Sequence, residues 1–266
     1  MATSVEGLDA DIYRSKEGIS ASDVKYILPP KTPAHYYAYI TDQIKREETR
    51  AFLIGTMCHL AVLEPERLEK AFVVKPQGKL GDFRTKEGKE WKESVGDTPI
   101  LDADEATMLS GMTASVKKHP AASELLANSK KEISLFAHHR TGLKIKGRID
   151  VLGNGFIADV KTAEAGDMQN FSSAIFRYNY HVQAAMYCQL AGVEQFSFIA
   201  VEKAPPFAVS VYQLSMPALQ AGMNALNDAL ELIAQCKDSN EWPAYSTAKQ
   251  TIDLPTWAYK QMEAKL

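Results

Sequence analysis

Between Lys144 and Thr162 the sequence reads KIKGRIDVLGNGFIADVKT, two β-rich runs joined by Gly-Asn-Gly. Alternation along the first run puts Ile145, Gly147, Ile149 and Val151 on one face, and Lys146, Arg148, Asp150 and Leu152 on the other. In the second run Ile157, Asp159 and Lys161 point one way, and Phe156, Ala158, Val160 and Thr162 the other. A hairpin through Gly-Asn-Gly therefore brings Asp150 near Asp159 and Lys161. Unpaired charge is among the costliest things a fold can bury. Two adjoining carboxylates also repel unless a cation lies between them, and oxygen ligands of this kind suit Mg²⁺ or Mn²⁺. A lysine beside such an ion can orient or deprotonate a water and offset developing negative charge, as hydrolysis of a phosphodiester requires.

The surrounding pattern places this pair of strands in a larger sheet. EISLFAHHR precedes them as a third β-rich run, so an antiparallel meander is expected. A long helix over Met168 to Leu190, strands in QFSFIAVEK and FAVSVYQLS, and a helix over Pro217 to Cys236 complete a βββαββα order. The fold class is α/β, with a central mixed sheet of about five strands flanked by helices and a helical amino-terminal part.

That preface begins at ISASDVKYIL, with Ser20 or Ser22 as cap, and stops at Pro29-Pro30. TPAHYYAYITDQI restarts it with Thr32 as cap and Pro33 in the first turn. TRAFLIGTMCHLAVLEP is apolar nearly all round, hence buried, with Gly55 and His59 on one face. Lys75 to Lys92 reads as an irregular basic loop with one helix near Lys86 to Glu93. DADEATMLSGMTASVKKH and HPAASELLAN are two further helices, and the tail TIDLPTWAYKQMEAKL is a candidate docking helix. With no internal repeat or linker, a single domain is expected, with the preface over about 1–131 and the core over about 132–236.

Composition removes some classes of function. A net charge of −3 gives no overall basic field for nucleic acid, although Lys75 to Lys92 and Arg140 to Arg148 are locally basic. Cys58, Cys188 and Cys236 are scattered without CxxC spacing, so neither a disulfide framework nor a zinc knuckle is expected, and a reducing cytoplasm fits. The amino terminus lacks the apolar stretch of a secretory signal and no run of about 18 apolar residues follows, so no membrane anchor is expected.

Asp150 followed by Asp159-Val160-Lys161 on the next strand resembles the PD-(D/E)xK nuclease motif. GRID, QAAMY (Gln183 to Tyr187) and GTMCHLAVLEP together resemble the RecB-like branch of that superfamily. ISASDVKYIL, GTMCHLAVLEPERLEKAFVV, HPAASELL, GRID, ADVKT and HVQAAMYCQLAG resemble segments of the RecE-type exonucleases of prophages in the same order, over roughly Ser20 to Tyr212. The resemblance implies a restriction-endonuclease-like core. It implies His59, Asp150, Asp159 and the main-chain carbonyl of Val160 as metal ligands, Lys161 as the residue that positions water, and Gln183 and Tyr187 beside the site. Glu132 resembles an acid that assists a second metal in some relatives. The proline of the motif's name is replaced by Ile149.

By the same resemblance the chain would be a Mg²⁺-dependent (or Mn²⁺-dependent) exonuclease with two ions per site. It would digest duplex DNA from the 5′ end, leave a 3′ single strand for an annealing protein in recombination and repair, and assemble as a trimeric or tetrameric ring. Arg148, Arg84, Lys86 and Ser22 are the candidate DNA contacts. Two rivals are a repair endonuclease of the same superfamily and a non-catalytic DNA-binding protein of the same fold. A Cas4-like iron-sulfur version would need four clustered cysteines, which three scattered ones do not supply.

Each of these residues also has a plainer use. His59 could be a core histidine satisfied by one hydrogen bond. Asp150 could pair with Arg148 or Lys146, Asp159 with Lys161, and Gln183 and Tyr187 could simply pack. His138, His139 and His181 have no supporting pattern and read as surface residues or residues outside the ligand set.

Overall fold

The computed structural model describes residues 2–44, 49–127 and 129–263. The chain enters through strand β1 (Thr3–Val5) and helix α1 (Ala10–Ser15), followed by helices α2 (Ala21–Val24), α3 (Pro33–Ile40), α4 (Arg50–Leu63) and α5 (Pro65–Leu68). Two-residue strands β2 (Val73–Val74) and β3 (Ile100–Leu101) pair in parallel around helix α6 (Lys86–Val95). Helices α7 (Ala103–Lys118) and α8 (Pro120–Ala127) lead into the meander β4 (Ser129–His138), β5 (Lys144–Gly153) and β6 (Phe156–Ala163). Helices α9 (Met168–Arg177) and α10 (Tyr180–Ala191) cross to strands β7 (Gln195–Glu202) and β8 (Val209–Gln213), and α11 (Met216–Ser239) and α12 (Thr256–Glu263) follow.

Six strands form one sheet in the order β1-β4-β5-β6-β7-β8. Only β6 and β7 run parallel, because the α9–α10 crossover returns the chain to the same edge; the other pairs are antiparallel. The expected mixed sheet is present, with one strand more than the periodicity gave. That strand, β1, pairs Thr3 with Phe136 and Val5 with Ser134, and three residues are too few to show a period.

Apolar residues cover both faces of the sheet. On one face Ile133, Ile149, Ile157 and Phe198 pack on Val182, Met186 and Leu226 of α10 and α11. On the other, Val151, Ala158, Val160 and Ile199 pack on Met57, Cys58 and Met112 of α4 and α7. Each large side chain buried this way contributes about 1.5–3 kcal/mol. Burial on both faces is what holds the two central strands rigid under the polar residues described below.

Several boundaries differ from expectation for identifiable reasons. The single helix expected over Met168 to Leu190 is broken in two, because Asn179 adopts left-handed backbone (φ 55), a conformation asparagine tolerates better than most residues. The helix in ISASDVKYIL is four residues long; Ser20 caps it, in a reciprocal box with Asp23, and Ser22 does not. Lys146 is buried and, instead of pairing with Asp150, donates to the carbonyls of Tyr13, Arg14 and Lys16 at the end of α1. His139 is buried rather than on the surface, with Nε2 at 3.1 Å from Asn227 Oδ1. Residues 264–266 of the tail lie outside the described residues.

Helix α11 seats against the start of α10 at Gly222, where a Cβ would come within 2.1 Å of the His181 carbonyl oxygen. Gly222→Ala should therefore lower the free energy of urea unfolding by about 1–3 kcal/mol, the usual cost of overpacking against backbone. An unchanged urea midpoint would mean that the two helices are not in close contact there.

Candidate metal centre

Strands β5 and β6 pair only at Val151↔Ala158 and Leu152↔Ile157, beside their turn. One more step in that register would set Asp150 against Asp159, two buried carboxylates face to face. The ladder stops there instead, and the Val160 N–H donates to Asp150 Oδ2 at 2.9 Å. On the other side of β5 the pairs Lys131↔Val151 and Ile133↔Ile149 leave Glu132 opposite Asp150. Glu132 has φ 53, a left-handed backbone that is rare in a strand and marks a functional position more often than a defect.

Helix α4 supplies the third group. His59 Nδ1 lies 3.2 Å from Asp150 Oδ2. Ligand atoms of His59, Glu132 and Asp150 all fall within 4.8 Å of one another. An imidazole and two carboxylates at that spacing fit a divalent cation with a preference for oxygen donors, such as Mg²⁺ or Mn²⁺. Asp159, expected in the ligand set, stands just outside this trio. Its Oδ2 is buried in an ion pair with Lys161 Nζ at 2.5 Å.

Lys161 and Asp159 share a partner on α10. Lys161 Nζ donates to Gln183 Oε1 at 3.2 Å, and Gln183 Nε2 donates to Asp159 Oδ1 at 3.0 Å. Tyr187, one turn along α10, hydrogen-bonds Gln183 and rests on Gly147 of β5. A Cβ on Gly147 would sit 2.9 Å from the Tyr187 ring, which explains the glycine of GRID.

Arg148 is engaged inside the centre rather than offered on an open surface. It bonds Glu132, lies 3.6 Å from Glu64 Oε2 and donates to the Leu8 carbonyl at 2.7 Å. Arg67 extends the chain of charges, 2.8 Å from Glu64 Oε1 and 3.7 Å from Asp9 Oδ2. Sequence reading missed Glu64, Arg67 and Asp9; the one usable signal was that Glu64 directly follows the helix carrying His59. Arg84 pairs with Asp82 in its own loop and Lys86 lies 3.8 Å from Glu90 in α6, so neither pair reaches the centre. Ser22 is half-buried on α2.

Protonation follows from these contacts. Burial works against the His59 imidazolium, yet the charge and hydrogen bond of Asp150 lift it to about 9. Burial also opposes the Asp150 carboxylate, but His59, Lys161 and the Val160 N–H hold it below the usual range. Burial and then the Asp150 charge push Glu132 up to about 7, against the pull of Arg148. Lys161 loses hydration by burial, but Asp159 and Asp150 keep its ammonium above the usual lysine range. A lysine held charged is suited to orienting water and offsetting negative charge, not to removing a proton.

The sequence matches the PDDEXK-like domain of unknown function, DUF3799, over residues 20–255. The chain belongs to that family. No curated protein matches it. A crystal structure from Eubacterium rectale, provisionally named as an exonuclease, is similar with a TM-score of 0.64 at 14% identity, covering 97% of this chain and 98% of that one. A phage related exonuclease from Haemophilus somnus 129PT aligns with a TM-score of 0.35 at 14% identity, over 86% of this chain and all 100% of that one. The first of these likenesses shows that the α/β fold of this chain is shared with that structure. Among the described residues of this DUF3799 chain no helix is long and apolar enough to cross a membrane.

A cation can use the His59 and Glu132 lone pairs only after both lose their protons. Mg²⁺ or Mn²⁺ affinity should therefore rise from roughly pH 6 to pH 9, with protons released on binding. Calorimetry in buffers of different ionisation enthalpy checks this; a pH-independent affinity without proton release would remove both groups from the ligand set.

Proposed function

We propose that the chain is a divalent-metal-dependent DNA exonuclease of the RecE kind. The observation that carries the reading is the convergence of His59, Glu132 and Asp150 on one point, with the Lys161 ammonium clamped beside it by Asp159 and Gln183. A divalent cation bound there would polarise a phosphoryl oxygen and make a bound water more acidic. Lys161 would hold the attacking water in line with the phosphorus and offset charge building on the phosphate. Gln183 fixes the Lys161 ammonium through Oε1 and the Asp159 carboxylate through Nε2, and Tyr187 holds Gln183 in turn. Asp159, whose carboxylate meets the Lys161 ammonium and the Gln183 amide, would join the coordination when the ion is bound.

Family membership and the order of the RecE-like segments support DNA as substrate. The Eubacterium rectale relative bears an exonuclease name. Attack from the 5′ end, a 3′ strand left for an annealing protein, a single nuclease domain, a ring of three or four subunits and a cytoplasmic setting belong to the same proposal. In a ring, subunits could turn basic patches inward, so that a slightly acidic chain still holds DNA.

End-labelled linear duplex and closed circular DNA, each with and without Mg²⁺, test this reading. Loss of linear DNA alone, dependent on Mg²⁺, is expected; nicked circles would indicate an endonuclease, and shifted bands without cleavage a binding protein. Lys161→Ala should lower cleavage by about a hundredfold or more and also lower stability, because Asp159 loses its buried partner, while the folded variant still binds DNA. Asp150→Ala should lose calorimetric Mg²⁺ binding together with cleavage. Full activity in the Lys161 variant would end its assigned role.

A further inference from the structure

Beside the metal centre lies a group of aromatic rings that the chemistry above does not use. The break between α9 and α10, with Asn179 in left-handed backbone, sets Phe176 and Tyr178 on the outside of the turn, 78% and 49% exposed. Tyr180 faces inward from the same turn. Its ring centroid is 4.7 Å from Lys161 Nζ and 5.5 Å from Lys25 Nζ, and the ring packs on Phe198 at 6.0 Å. Tyr178 follows 5.5 Å from Tyr180. Phe176 stacks on His181, 6.1 Å between centroids, so the rings of this turn reach from Lys161 to solvent, and Arg177, between Phe176 and Tyr178 in the sequence, is exposed.

Rings of this size stay in water at a cost unless something covers them. Alternation with lysine and arginine favours an occupant that offers both flat π faces and negative charge, which describes a nucleic-acid strand. A paired duplex hides the faces of its bases except at its end. The carboxylates of Asp150 and Asp159 are also buried, at 7% and 0% exposure, so a phosphate must descend to reach them. A strand freed from its partner can do this and leave its bases on the rings above.

We propose that Tyr180, Tyr178 and Phe176 form a stacking ledge for unpaired bases of the DNA strand whose phosphate enters at Lys161. The choice of ligand rests on the nuclease reading of the neighbouring centre. Tyr180 anchors the ledge, and Tyr178 and Phe176 extend it for the next bases. Lys25 and Arg177 meet the phosphates that join them.

The test uses the full chain in Ca²⁺, with fluorescence anisotropy of a labelled single-stranded oligonucleotide and of a duplex closed at both ends by hairpins. Tyr178→Ala and Phe176→Ala change exposed side chains and should fold normally by circular dichroism. Each should weaken single-strand binding roughly fivefold or more while closed-duplex binding stays within about twofold. A 2-aminopurine placed as the terminal base should be quenched by the native protein and recover in Tyr178→Ala. Unchanged single-strand affinity, absent quenching, or equal loss for both DNAs would overturn the ledge. So would a change of oligomeric state in sedimentation velocity, which would make the rings a protein interface. Because none of this needs cleavage, quenching without Mg²⁺-dependent degradation would remove the nuclease reading and keep the ledge, and degradation without quenching would do the reverse.

Discussion

The centre of this structure depends on a repulsion. Asp150 and Asp159 occupy positions that a regular β5–β6 ladder would place side by side, and both are buried. Two such carboxylates cannot share a ladder rung without raising each other's pKa. Parting the strands at that rung relieves the conflict and leaves a Val160 N–H to satisfy one acid. The cleft that results is a direct product of where the two aspartates fall relative to the turn.

Keeping so much charge out of water requires compensation from every side. His59 comes from the α4 face, Lys161 and Gln183 from the α10 face, and Arg148 from along β5 itself. The apolar layers on both sides of the sheet hold these contributors at fixed distances, so the electrostatics and the packing cannot be separated. Removing one partner leaves another charged group buried alone, which is why such networks are sensitive to single changes.

Much of this was legible in the chain. Gly-Asn-Gly between two alternating runs gave the hairpin, and the period gave the side of each strand on which Asp159 and Lys161 stand. His59 was legible as a polar residue on an otherwise apolar helix. The contributions of Glu64, Arg67 and Asp9 were not, because the pairs that tie them to the centre, Glu64 with Arg148 and Arg67 with Asp9, join distant segments and leave no period or motif. Glu132 opposing Asp150 needed the register of β4 on β5, which sequence alone does not fix. The break at Asn179 was lost for a related reason: the residues around it keep a helical spacing through the interruption.

The first nineteen residues lie outside the span matched by the family, 20–255, yet they are tied to its centre. The Leu8 carbonyl accepts from Arg148, Asp9 lies near Arg67, and the end of α1 receives the Lys146 ammonium. A protein trimmed to the family's limits would strip the buried Lys146 ammonium of its three carbonyl acceptors and take one acceptor from Arg148, which would keep Glu132 and Glu64. The amino-terminal strap is thus a brace for the cleft, and the working unit of this chain extends beyond the span of the family match.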